Sequence, residues 1–270
     1  MPAMLDLHCH LLPAIDDGAT DLAMSLEMAR MSVADGVHTV ACTPHIYPGL
    51  YENTADGIRI AIGKLQAELD REGIPLTLVI GADVHLDPSL PEGIRAGRVP
   101  TIAGSRYLLL EPPHHVAPPR FEDALFSLMT QGLVPVITHP ERLTWVETHY
   151  DLFERLAHRG AWMQVTAGAL TGRFGRRVKY WGERFLGDGN THILATDAHH
   201  PRRRPPLLAE AREAAARLVG EAEADHLVAT RPKGIVDNVA PADLPALPDE
   251  RTLSGVSRAP SFWKRLRGAA

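Results

Sequence analysis

The sequence predicts a single α/β barrel, and three observations lead to it. Short apolar, β-branched runs alternate with longer segments of helical periodicity, the pattern of βα units around a mostly parallel sheet. An open doubly wound sheet usually carries a glycine-rich phosphate loop after its first strand, and here that place is taken by His8-Cys9-His10. Histidine, aspartate or glutamate recurs at the ends of the candidate strands, where barrel enzymes place their chemistry. A chain of 270 residues is long enough to bury one large core.

The first strand is expected over 4–8 and runs on into His10. Residues two apart in an extended chain point to one side, so Asp6, His8 and His10 project together. Met4, Leu5, Leu7 and Leu11 surround them, which makes this an apolar strand with donors set into it. Cys9 points the opposite way, into the barrel wall, and Asp16-Asp17-Gly18 follows closely. After a helix at 20–35, the second strand, 38–42, leads through Thr43-Pro44 to His45. A helix at 54–72 precedes the third strand, 76–80, which leads through Gly81 to Asp83 and His85. The fourth strand, 107–110, delivers Glu111 ahead of a helix at 120–131. The fifth, 134–138, delivers His139 with Pro140-Glu141-Arg142 behind it, followed by a helix at 148–158. The sixth, 162–166, is followed by a helix at 174–187. The seventh, 192–196, delivers Asp197 and His199, and helices at 206–219 and 220–229 complete the series.

Six strand ends of this kind are hard to obtain by chance. Nitrogen and oxygen donors without thiolate suit manganese, iron, zinc or magnesium. About nine donors exceed the roughly four to six that one ion accepts, so two or three ions with carboxylate bridges are implied.

Hydrophobic content of 45% and charged content of 23% are those of an ordinary globular protein. A net charge of −5 with no concentrated basic surface argues against general nucleic-acid binding. Two cysteines, Cys9 and Cys42, argue against a disulfide framework and fit a reducing cytoplasm. No stretch approaches the roughly 20 apolar residues of a membrane span, and no secretory leader is evident, so a cytoplasmic location is expected. From Val239 onward Pro241, Pro245 and Pro248 with few apolar residues read as a flexible extension. The expected division is therefore a domain over 1–238 and a tail over 239–270. Phe262-Trp263-Lys264-Arg265-Leu266-Arg267 reads as a solvated end, with peripheral contact to acidic lipid or to a partner protein as the alternative.

The Leu5–Gly18 stretch, Thr43-Pro44-His45, Tyr107-Leu108-Leu109-Leu110-Glu111, Thr138-His139-Pro140-Glu141-Arg142 and Thr196-Asp197-Ala198-His199 together resemble the polymerase and histidinol phosphatase (PHP) superfamily. Within it the resemblance is to the bacterial manganese-dependent protein-tyrosine phosphatases of capsule and exopolysaccharide loci, the CpsB/CapC/YwqE type, over about residues 4–235. It implies a distorted (βα)7 barrel and a trinuclear centre holding Mn2+. His8, His10, Asp17, His45, Glu111, His139, Asp197 and His199 fall on the family's ligand positions. Asp83 stands where the family usually has glutamate, and its side chain reaches roughly 1.5 Å less far. Asp16 is expected to cap the turn, and His85, His114 and the remaining histidines are read as non-ligands.

Such ions acidify bound water and clamp a phosphoryl group, so no protein nucleophile is needed. The cysteine-type mechanism needs Cys-x5-Arg, and six residues beyond Cys9 and Cys42 stand Ile15 and Pro48. Arg142 and Arg204 are the expected cations for the phosphoryl oxygens, and His199 or a water the expected proton donor. The substrate implied by the resemblance is the phosphotyrosine tail of a bacterial tyrosine kinase governing polysaccharide export. Histidinol phosphate or another small phosphomonoester is the alternative within enzymes. A regulatory binding module with an impaired metal centre is the alternative outside them. Oligomeric state stays open: the first helix reads Leu26-Glu27-Met28-Ala29-Arg30-Met31, an incomplete version of a charged element that assembles some relatives.

Overall fold

The computed structural model describes residues 2–248. In chain order the strands and helices open with β1 (Met4–Cys9), α1 (Leu22–Ala34), β2 (Val37–Cys42), β3 (His45–Tyr47), β4 (Tyr51–Glu52) and α2 (Ala55–Arg71). They continue with β5 (Thr77–Ile80), β6 (Asp83–His85), α3 (Leu90–Arg95), β7 (Tyr107–Glu111), α4 (Phe121–Thr130), β8 (Val134–Thr138) and α5 (Val146–His158). The last are β9 (Trp162–Thr166), α6 (Ala167–Leu170), α7 (Gly175–Gly187), β10 (Ile193–Ala195), α8 (Ala209–Val219), α9 (Glu221–Asp225) and α10 (Arg231–Val236).

Two staves are broken. β2 pairs in parallel with β1 and β5, and β3 pairs in parallel with β6, which pairs with β7. The chain passes from β2 to β3 through Thr43-Pro44 and from β5 to β6 through Gly81-Ala82, so each pair is one stave with a kink. Gly81 N–H donates to Cys42 O at 3.0 Å and Asp83 N–H to Pro44 O at 3.2 Å, which carries the register across both kinks. β7, β8, β9 and β10 then follow side by side in parallel. The ring closes where Cys9 bridges to Ala198, with Asp197 N–H on His8 O at 2.7 Å and His10 N–H on Ala198 O at 2.9 Å. The result is the distorted seven-stave barrel the sequence predicts.

Alternation along the strands sorts the core. Tyr107, Leu109, Val134, Val136, Trp162 and Ile193 form one buried cluster, while Leu108, Leu110, Ile137, Met163, Val165 and Leu194 belong to the cluster shared with the helices. Continuing the first parity toward the carboxyl ends brings Glu111, Gln164 and Asp197 to the inner face.

The sequence reading missed the hairpin of β3 and β4, the helices α3 and α6, and the continuation past 229. There a π-helical turn, His226–Thr230, joins α9 to α10 where Pro232 lacks the N–H an α-helical bond needs. The expected boundary at 238 also cuts through packed chain. Tyr107 Oη donates to Val239 O at 2.9 Å, and Arg231 donates to Pro245 O at 2.9 Å and Ala246 O at 2.8 Å. The aromatic and basic cluster at 262–267 lies outside the described residues. Among the described residues no helix is long and apolar enough to cross a membrane.

Candidate metal centre

β1 sets His8 and His10 at the carboxyl end of the barrel, both buried. Each ring is held from behind. His8 Nδ1 lies 2.9 Å from Gln164 Oε1, and His10 Nδ1 lies 2.6 Å from Asp16 Oδ2, which leaves the two Nε2 atoms facing each other at 3.3 Å. A partner on one imidazole nitrogen orients the other toward a metal. Burial works against a cationic His10, yet Asp16 and Asp197 push its pKa up to about 10. Asp6, on the same strand face, points to structure: it accepts from Thr196 N–H at 2.9 Å and from the Thr196 hydroxyl, tying the end of β10 to β1.

Around this pair the donors fall into four overlapping groups. One holds His10, Asp17, His45 and His199; a second His8, His10 and Asp197; a third His45, Asp83 and Glu111; a fourth Glu111, His114 and His139. Within each, one donor atom per residue lies within 4.8 Å of the others. All nine residues expected as ligands are therefore brought together, and His114, read as a non-ligand, joins them. His85 takes part in none of these groups and stacks on Tyr47 with ring centroids 3.9 Å apart.

These residues fit divalent ions. Both oxygens of the fully buried Asp83 make no hydrogen bond, and neither does His45 Nδ1. Buried polar atoms without partners cost free energy that a cation coordinated by them offsets. Two of the donors sit in left-handed backbone, His139 at φ 34° and Asp197 at φ 49°, conformations that persist when the surroundings over-determine them.

Arg142 and Arg204, expected to face a phosphoryl group, both converge on Asp197 Oδ2. Phe174 lies against them, its ring centroid 4.8 Å from the Arg142 guanidinium carbon and 6.0 Å from that of Arg204. Burial would raise the Asp197 carboxyl, but His8, Arg204 and Arg142 outweigh it and hold the group well below the usual range. His199 Nε2 stands 3.3 Å from Asp17 Oδ1, and burial together with His10 pulls its imidazole down to about 4. Cys9 and Cys42 are free and buried, and burial pushes both thiols up, so neither offers a thiolate.

The family described as "Capsular polysaccharide synthesis, CpsB/CapC" matches residues 4–237. This chain belongs to the CpsB/CapC family. It is 35% identical over 201 residues to the tyrosine-protein phosphatase YwqE of Bacillus subtilis, covering 74% of this chain and 79% of that protein. It is 30% identical over 205 residues to CapC of Staphylococcus aureus, covering 76% and 80%. A crystal structure from work on B. subtilis YwqE and Streptococcus pneumoniae CpsB, described as unique metal-dependent tyrosine phosphatases, superposes with a TM-score of 0.85 at 32% identity, covering 92% of this chain and 100% of that one.

Three supporting residues of this CpsB/CapC centre escaped the sequence reading. Asp16 does cap the turn, accepting from Gly18 N–H at 2.9 Å, but its other oxygen also holds His10 and the backbone N–H of His45. Gln164 is an amide set between the apolar Met163 and Val165, and that break in pattern is the signal that could have found it. His114 follows Glu111 by three residues in a proline-containing loop and carries no periodic signal.

Proposed function

We propose that this CpsB/CapC chain is a metal-dependent protein-tyrosine phosphatase, with Mn2+ as its ion and the phosphotyrosine tail of a bacterial tyrosine kinase as its substrate, acting in the cytoplasm. The observation that carries the reading is the convergence of ten carboxylate and imidazole side chains, in four overlapping clusters, on one end of the barrel. Divalent ions bound there supply Lewis acidity toward water and toward phosphoryl oxygens. His8, His10, Asp17, His45, Asp83, Glu111, His139, Asp197 and His199 are the residues proposed to hold them. Asp16 and Gln164 orient the two central imidazoles.

Arg142 and Arg204 are half-buried, and one nitrogen of each guanidinium is anchored on Asp197 Oδ2. Each has further N–H groups to offer the three phosphoryl oxygens, whose charge a fixed cation stabilises. A phenolate leaving group has a pKa near 10 and departs more readily with a proton. His199, 3.3 Å from Asp17 Oδ1, or a water in the site supplies that proton. The kinase substrate and the capsule role are supported by the family's tie to capsular polysaccharide synthesis and by the tyrosine-phosphatase name of YwqE.

The test is hydrolysis of an aryl phosphate and a phosphotyrosine peptide by the purified full chain with Mn2+, with and without chelator. Activity that chelator abolishes and Mn2+ restores is expected, with histidinol phosphate turned over far more slowly. Equal turnover of histidinol phosphate would sink the tyrosine assignment, and chelator-resistant activity would sink the metal role.

A further inference from the structure

Glu111 divides its two oxygens between two sets of nitrogen donors. Oε2 lies 3.6 Å from His45 Nδ1, on the side where Asp83 stands. Oε1 lies 3.3 Å from His114 Nε2 and 3.6 Å from His139 Nε2. Asp83 keeps to the first side: its Oδ2 is 3.4 Å from His8 Nε2 and 3.5 Å from His45 Nδ1. With a single methylene between backbone and carboxylate, Asp83 leaves the His139 side of Glu111 to another donor.

His114 stands there. Its loop is pinned from below: Thr144 N–H and Thr144 Oγ1 donate to His114 O at 3.0 and 3.1 Å, and Trp145 Nε1 donates to Pro113 O at 2.9 Å. Its ring lies 5.0 Å from the His139 ring, centroid to centroid. An imidazole carried on a fixed backbone and aimed at a buried carboxylate is a preorganised donor.

We propose that His114 is a metal ligand, which with Glu111 Oε1 and His139 Nε2 completes a divalent-cation position at the rim of the centre. Two imidazole nitrogens and one carboxylate oxygen suit manganese, iron or zinc. The assignment rests on the metal-centre reading above, and its test keeps the two apart. The full chain is stripped with chelator and titrated with Mn2+ by calorimetry, and bound metal per chain is counted by elemental analysis.

His114→Ala is expected to bind one ion fewer than wild type, or to bind its weakest ion about tenfold or more less tightly. Thermal unfolding of the metal-free forms is expected to match, because the His114 side chain is 30% exposed. If the alanine variant does not fold, His114→Gln is read the same way. His114→Ala with the wild-type number of ions and wild-type affinities overturns the assignment. A wild-type chain that binds no divalent ion overturns the metal centre as a whole.

Discussion

Glu141 is fully buried beside Arg142, and burial pushes its carboxyl from 4.5 up to about 7, although Thr166 N–H donates to its Oε1 at 2.9 Å. Its Oε2 makes no hydrogen bond. A carboxyl whose folded pKa is raised keeps a proton that the unfolded chain releases, so its contribution to stability is complete below 4.5 and declines as pH rises toward 7. The shift corresponds to about 3 kcal/mol. Glu141→Gln is therefore expected to unfold at the same temperature as wild type in acid and at a higher one near pH 8. Thermal melts across that range check it; a gap that does not change with pH would refute the argument. At this scale the donors themselves were legible, because imidazole and carboxylate at a strand end carry their chemistry in their identity. Their supports were not. Asp16 and Gln164 support the centre through rings that folding brings within 3 Å of them.

Between β1 and α1 the chain must turn tightly enough to bring Asp17 back over His10. Gly18 makes this turn fit: a Cβ there would meet His10 O at 2.2 Å and His10 Cβ at 2.5 Å, neither of which can move without shifting β1. Ala19 N–H holds the same carbonyl at 3.1 Å. Gly18→Ala is expected to lift the loop, displace Asp17 from His45 and His199, and lower Mn2+ affinity about tenfold or more with the barrel intact. Metal titration alongside circular dichroism reads both quantities, and unchanged affinity would show that the close approach is dispensable. The staves were legible element by element from their apolar runs and punctuation. The kinks at Thr43-Pro44 and Gly81-Ala82 were read as strand ends, because a local pattern does not reveal that sheet pairing resumes two residues later.

Across the whole molecule, the segment after α10 straps the barrel. Arg231 is fully buried, pairs with Glu223 at 2.6 Å, and donates to His192 O at 3.3 Å as well as to Pro245 O and Ala246 O. Ending the chain after Asn238 removes two of those carbonyls and the Val239 O that holds Tyr107, leaving a buried guanidinium with fewer partners. A loss of about 3 kcal/mol is expected relative to a chain that ends after Pro248. Equal melting temperatures for the two truncations would show that the strap is passive. The sequence by itself made the barrel and the donors at its strand ends legible, because hydrophobic periodicity and side-chain chemistry are local properties, while Asp17 came from the family resemblance. Only the tertiary structure decided how the donors divide into four groups, that Arg142 and Arg204 meet on Asp197, that His114 joins Glu111 and His139, and that the chain packs beyond 238. Those are distances between residues far apart in the chain, and closing the ring of staves is what sets them.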